Sequence, residues 1–86
     1  MQHGKRAAIG DIVTLAKNVK RYRAPVVTME DSIAWNLEHI LHLNVPYLLV
    51  EISKEYPMIG TVDVLMAPDG TLVVVDHGIQ TIVEPI

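Results

Sequence analysis

The 86-residue sequence predicts an α+β domain in which two helices pack on a mainly antiparallel sheet, in the order α-β-α-β-β-β-β. Three observations carry that expectation. Apolar runs at 62–67 and 72–77 flank Pro68-Asp69-Gly70 and predict a central β-hairpin over 61–77, because proline presets φ, aspartate caps its own backbone and glycine accepts a positive φ. Apolar residues recur at helical spacing over 8–22, and they do so again over 29–43.

The first helix is expected over 8–22, with Ile9, Ile12, Val13, Ala16, Val19 and Tyr22 as its stripe and Gly10 weakening its first turn. Lys17, Lys20 and Arg21 collect at its C-terminal end, where cations oppose the macrodipole favourably, and Pro25 ends it. Val26-Val27-Thr28 reads as a short strand. Thr28 with Asp31 resembles a capping box opening the second helix over 29–43. Ile33, Leu37, Ile40 and Leu41 supply its buried stripe, and Asn44 followed by Pro46 stops it. Residues 47–52 read as a buried strand, followed by a polar loop holding Pro57 and Gly60, then the hairpin, then a final alternating strand over 79–84 after a bend at Gly78.

Hairpin register decides whether Asp63 and Asp76 form a site. A two-residue loop centred on Asp69-Gly70 pairs Asp63 with Asp76 and sets the carboxylates side by side. A type I turn with a glycine bulge, which Pro-Asp-Gly favours, shifts the register by one. Asp63 then opposes Val75, and the aspartates point to opposite faces. Asp63 and Asp76 are therefore the candidate catalytic pair, conditional on register.

Composition narrows the class. Half the residues are apolar and a fifth are charged, which excludes a disordered chain and predicts one small domain spanning 1–86. No run approaches the roughly 18 apolar residues of a membrane span, so no membrane contact is expected. Cysteine is absent, removing disulfides and thiolate metal sites and agreeing with a cytoplasmic location. The N-terminus lacks the order of a secretory signal. Both faces of the predicted hairpin are apolar, as in a sheet covered on both sides, and two helices leave part of it bare. A homo-oligomer or a larger protein assembly is therefore expected.

Charge is divided along the chain. Residues 1–24 carry Lys5, Arg6, Lys17, Lys20, Arg21 and Arg23 against Asp11, six minus one, or +5. Residues 25–86 carry Lys54 against nine acids, one minus nine, or −8. Lys17, Lys20, Arg21 and Arg23 are accordingly the candidate binding residues. The expected function is a non-enzymatic interaction or assembly module whose basic N-terminal helix meets an acidic partner or a neighbouring subunit. Nucleic acid is the alternative partner, with the cations on phosphates and Tyr22 placed to stack on a base.

The string Gly60-Thr61-Val62-Asp63-Val64-Leu65, then Pro68-Asp69-Gly70 and Leu72-Val73-Val74-Val75-Asp76, resembles the core of the PD-(D/E)xK nuclease superfamily over residues 30–78. The resemblance implies a helix and three strands, with Asp63 as the family's aspartate and Asp76 as the acidic residue of its triplet. Together they would hold a divalent ion such as magnesium and activate water for phosphodiester cleavage. The triplet reads Asp76-His77-Gly78, so glycine stands where the family has lysine, which implies a degenerate member. Apart from a magnesium ion in that setting, no cofactor is expected.

His39 and His42, with Glu38, would share a face of the second helix, fewer ligands than a zinc site requires. They are read as exposed or capping residues, and Trp35 as a packing residue at a sheet or subunit contact. The sequence contains no Gly-rich phosphate loop and no nucleotide fingerprint.

Overall fold

The computed structural model describes residues 6–57, 59–76 and 78–86. Strands β1 (Ile12–Leu15), β2 (Arg21–Val27), β3 (Ile33–His42), β4 (Tyr47–Tyr56), β5 (Gly60–Met66) and β6 (Leu72–Val75) are followed by a single helical turn, α1 (Ile79–Ile82), and by β7 (Val83–Pro85). All strands join one antiparallel sheet of order β3-β2-β6-β5-β4-β1-β7. Among the described residues no helix is long and apolar enough to cross a membrane.

The α+β expectation is overturned, since the structure is nearly all antiparallel sheet. The segment expected as a helix over 8–22 reverses twice instead. Gly10 has φ +95° and Lys20 has φ +67°, conformations that break a helix. Between them Val13 and Leu15 alternate inward with no exposure while Ile12 stays exposed, which is a strand's period of two. Pro25 ends no helix; it lies within β2 where the register against β3 breaks, a position that tolerates a missing amide hydrogen.

The segment expected as a helix over 29–43 is hairpin tip and strand. Thr28 acts as a cap, but of a turn: its Oγ1 accepts the Glu30 and Ser32 amides at 3.3 and 3.1 Å, and its own amide donates to the Ser32 carbonyl at 2.7 Å. Asp31 takes φ +61°, and the chain returns as β3 against β2. Leu37, a member of the expected helical stripe, is exposed, whereas Leu41 is fully buried. At the C-terminus the strand expected over 79–84 shrinks to β7, because one helical turn buries Ile79 and Ile82 first.

The β5–β6 hairpin forms with Asp63 opposite Val75 and Val64 opposite Val74, the register of the bulged turn. Gly70 adopts φ +91°, its amide donates to the Ala67 carbonyl, and Asp69 Oδ1 accepts the Thr71 amide at 3.0 Å. Alternation sends Leu65, Val73 and Val75 to an inner core shared with Val13, Leu15, Ala24, Leu41, Tyr47, Leu49 and Val83. It sends Val62, Val64 and Val74 to an outer core with Val27 and Tyr56. The inner core draws on strands from one end of the sheet order to the other, so the sheet must curl. The bend is concentrated in β4, where the register slips twice against β5 and Ser53 has φ +57°.

The sheet's two edges are blunted. The edge strand β7 has three residues and ends at Pro85. At the other edge, the Leu43 amide bonds the Lys20 carbonyl, so alternation turns the amides of His42, Ile40 and Glu38 away from β2. The His42 amide is already taken by Tyr47 Oη at 2.9 Å. Further along, β3 bulges outward.

Candidate interaction surface

Asp63 and Asp76, the candidate catalytic pair, are not brought together as the two-residue loop would have placed them. Asp63 lies on the inner face and is buried. Its Oδ1 accepts the Ser53 amide at 2.8 Å and its Oδ2 accepts the Ile79 amide at 3.1 Å. Gly78 supplies no side chain to cap α1, so the carboxylate of Asp63 performs that task from β5 while also holding the bend of β4. Asp76, just past the end of β6, is exposed and accepts the Tyr22 hydroxyl at 2.9 Å; it borders the same small cleft as Asp63, beside Thr61, Val75 and Gly78, but is not its cross-strand partner. The helix that the nuclease resemblance implies ahead of these residues is the strand β3.

The strand geometry also redistributes the other candidates. On β3, His39 and His42 fall on opposite faces because they are three apart; His39 is half-buried opposite Ala24, and His42 is exposed opposite Arg21. Among the described residues, no group of three or more His, Asp or Glu side chains is gathered as for a metal ion. Lys17 and Lys20 occupy the turn between β1 and β2, while Arg21 and Arg23 alternate outward from β2; all four are exposed. The shared face is thus that of a strand and its turn, not of a helix. Arg23 lies 3.8 Å from Glu38 across the strand pair. Tyr22 turns the other way, packs against the inner core and bonds Asp76, which removes it from the stacking role.

A feature not anticipated from spacing is the bulge on β3. Pro25 pairs with Glu38 and Val26 with Ala34, leaving Trp35, Asn36 and Leu37 without partners on β2. Trp35 is 61% exposed and Leu37 54%. Trp35 walls a groove of about 300 Å³ together with Asp31, Ser32, Ile33, Tyr56, Pro57 and Ile59. At the groove's end, Lys54 Nζ donates to Asp31 at 2.7 and 3.0 Å and the Tyr56 hydroxyl donates to Asp31 at 3.0 Å. Hydrogen bonds from Lys54 and then Tyr56 hold the Asp31 carboxyl below its usual range. The cluster ties the β2–β3 tip to β4 across residues 23 and 25 positions apart.

The tyrosines give a measurable signature of this packing. Burial, then the hydrogen bond to Asp76, pushes Tyr22 up to about 12. Tyr47 and Tyr56 are raised as well, each chiefly by burial. A folded-state pKa above the unfolded value of 10.0 favours the fold in the neutral form. That stability is fully present below pH 10 and is lost as pH rises through the folded values. Phenolate absorbance in an alkaline titration should therefore lag behind free tyrosine for all three residues and appear together with unfolding. A phenolate step at pH 10 in the still-folded chain would contradict the placement of the tyrosine concerned.

Comparison with protein-family models, with curated proteins and with solved structures finds no match in any of the three.

Proposed function

We propose that the chain is a non-enzymatic interaction or assembly module that meets an acidic partner or a neighbouring subunit through Lys17, Lys20, Arg21 and Arg23. The observation that carries this reading is the exposure of all four cations around one turn and the adjoining outer face of β2. The contrast between +5 over residues 1–24 and −8 over the remainder supports it, because clustered charge steers and orients an oppositely charged partner.

Polyglutamate serves as a probe of the acidic partner. Wild-type protein should be retained on immobilised polyglutamate at low salt and released as salt screens the contact. The double substitution Lys20→Glu/Arg21→Glu should weaken retention by at least about tenfold, as expected for reversing charges at a complementary surface, with thermal unfolding unchanged. Equal retention of wild type and variant would remove these residues from the function.

A further inference from the structure

Hydrogen-bond parity defines one open stretch on the β3 edge. The Leu43 amide bonds the Lys20 carbonyl, and in an antiparallel ladder residues that bond a given neighbour alternate with residues that face away from it. Leu41 and His39 therefore bond Tyr22 and Ala24 on β2, whereas His42, Ile40 and Glu38 present amide and carbonyl outward. Pro25, which has no amide hydrogen, stands opposite Glu38, where β2 and β3 exchange no bond. The sheet order ends at β3. Tyr47 Oη takes the His42 amide, but among the described residues nothing bonds the outward groups of Ile40 and Glu38. Glu38 is exposed, and His39 and Ile40 are half-buried.

We infer that this stretch pairs with the same stretch of a second copy about a two-fold axis through His39. Antiparallel pairing about that axis sets Glu38 against the second copy's Ile40 and Ile40 against its Glu38. Each pair exchanges both N–H···O bonds, using only groups that the single chain leaves open. Asn36 of the bulge then comes level with the second copy's His42, whose amide is already taken, so pairing stops at the same point from both directions. No other axis does this: one through Ile40 sets Glu38 against the occupied His42, and one through Glu38 sets Ile40 against the bulge.

The open stretch is therefore complementary to itself, and its shortness favours a preformed partner. A flexible peptide would have to fix its backbone to make these few bonds, and that ordering costs about as much as the bonds return. A second β3 is already held extended by β2. Arg23, 3.8 Å from Glu38 on the same molecule, offsets the approach of the two acids. The pairing closes on itself, as two-fold contacts do. It goes beyond the reading built on Lys17, Lys20, Arg21 and Arg23, because backbone groups make it.

Proline and cysteine substitutions test the register. Sedimentation equilibrium from about 10 μM to 1 mM, which spans dissociation constants in that range, should show wild-type monomer and dimer and nothing larger. Ile40→Pro removes an outward amide and spares the bonds to β2, a change that edge strands tolerate. It should keep the wild-type circular dichroism spectrum and raise the dimer dissociation constant by at least about tenfold, since half of the intermolecular bonds are lost. The sequence contains no cysteine, so a single introduced thiol can pair only with its copy. His39→Cys puts two thiols at the axis, where Cα atoms of a non-hydrogen-bonded pair stand about 4.5 Å apart, within disulfide reach. Mild oxidation should link it into a dimer. Leu37→Cys is the control: its position is exposed, but its copies stand roughly 13 Å apart along the paired strands and should stay unlinked. A wild type that is monomeric at about 1 mM, a folded Ile40→Pro that associates like the wild type, or equal cross-linking of the two cysteine variants would each overturn the two-fold pairing. The cysteine variants decide even if proline unfolds the chain.

Discussion

Replacing Asp63 with alanine is expected to destabilise the fold by about 3 kcal/mol, because the buried Ile79 amide and the half-buried Ser53 amide lose their acceptor and an unsatisfied buried donor costs about 1–3 kcal/mol. For a chain of this length that lowers the melting temperature by roughly 10–25 °C. The cause is geometric: one carboxylate accepts the Ser53 amide at the bend of β4 and the Ile79 amide at the start of α1. Asp63→Asn keeps one acceptor and turns an NH₂ group toward the other amide, so its loss should fall between wild type and alanine. Thermal unfolding of the three proteins checks the order. A wild-type melting temperature in both variants would mean that neither hydrogen bond forms, and would return Asp63 to the candidate catalytic residues.

The second large effect contrasts two leucines. Leu65 has no exposed surface and lies in the inner core on β5, so Leu65→Ala should cost about 3 kcal/mol, the usual penalty for emptying a leucine site. Leu37 was expected on the buried stripe of a helix, but it projects from the β3 bulge and is 54% exposed. Leu37→Ala should therefore change stability by no more than about 0.5 kcal/mol. Chemical denaturation of both variants decides between a helix and a strand at 29–43, since a helix would make the two losses comparable.

Legibility in the sequence followed the range of the interactions involved. The hairpin was readable because Pro68-Asp69-Gly70 specifies its turn within a few residues, down to the Asp69–Thr71 hydrogen bond and the positive φ of Gly70. The expected helices failed where local spacing was ambiguous. Ile9, Ile12, Val13, Ala16 and Val19 satisfy a period of 3.6, yet Val13 and Leu15 satisfy a period of two just as well. Pairing with β4 and β7 selects the latter. The capping box read from Thr28 and Asp31 opens no helix, because the same hydroxyl geometry serves a hairpin turn as readily.

The candidate surface was legible to a similar depth. Lys17, Lys20, Arg21 and Arg23 are exposed in either fold, because charge alone keeps them in water. What changed is how they are grouped: period two puts Arg21 with Arg23 and turns Tyr22 inward. Trp35 was expected at a sheet or subunit contact, and its exposure arises from a bulge that no short-range signal announces. The Asp31–Lys54–Tyr56 cluster joins residues separated by more than twenty positions. Only the curl of the sheet brings them into contact.

The occupied His42 amide and the three-residue β7 have a consequence for how this chain can fail. Amyloid-like growth requires a strand edge able to template the next strand. Here one edge is plugged by a phenol from β4 and interrupted by a bulge, while the other stops at a proline. Strand addition by another copy is therefore confined to the short stretch of β3 whose Ile40 and Glu38 amides face away from β2, which leaves the folded state a poor template for extended fibril growth.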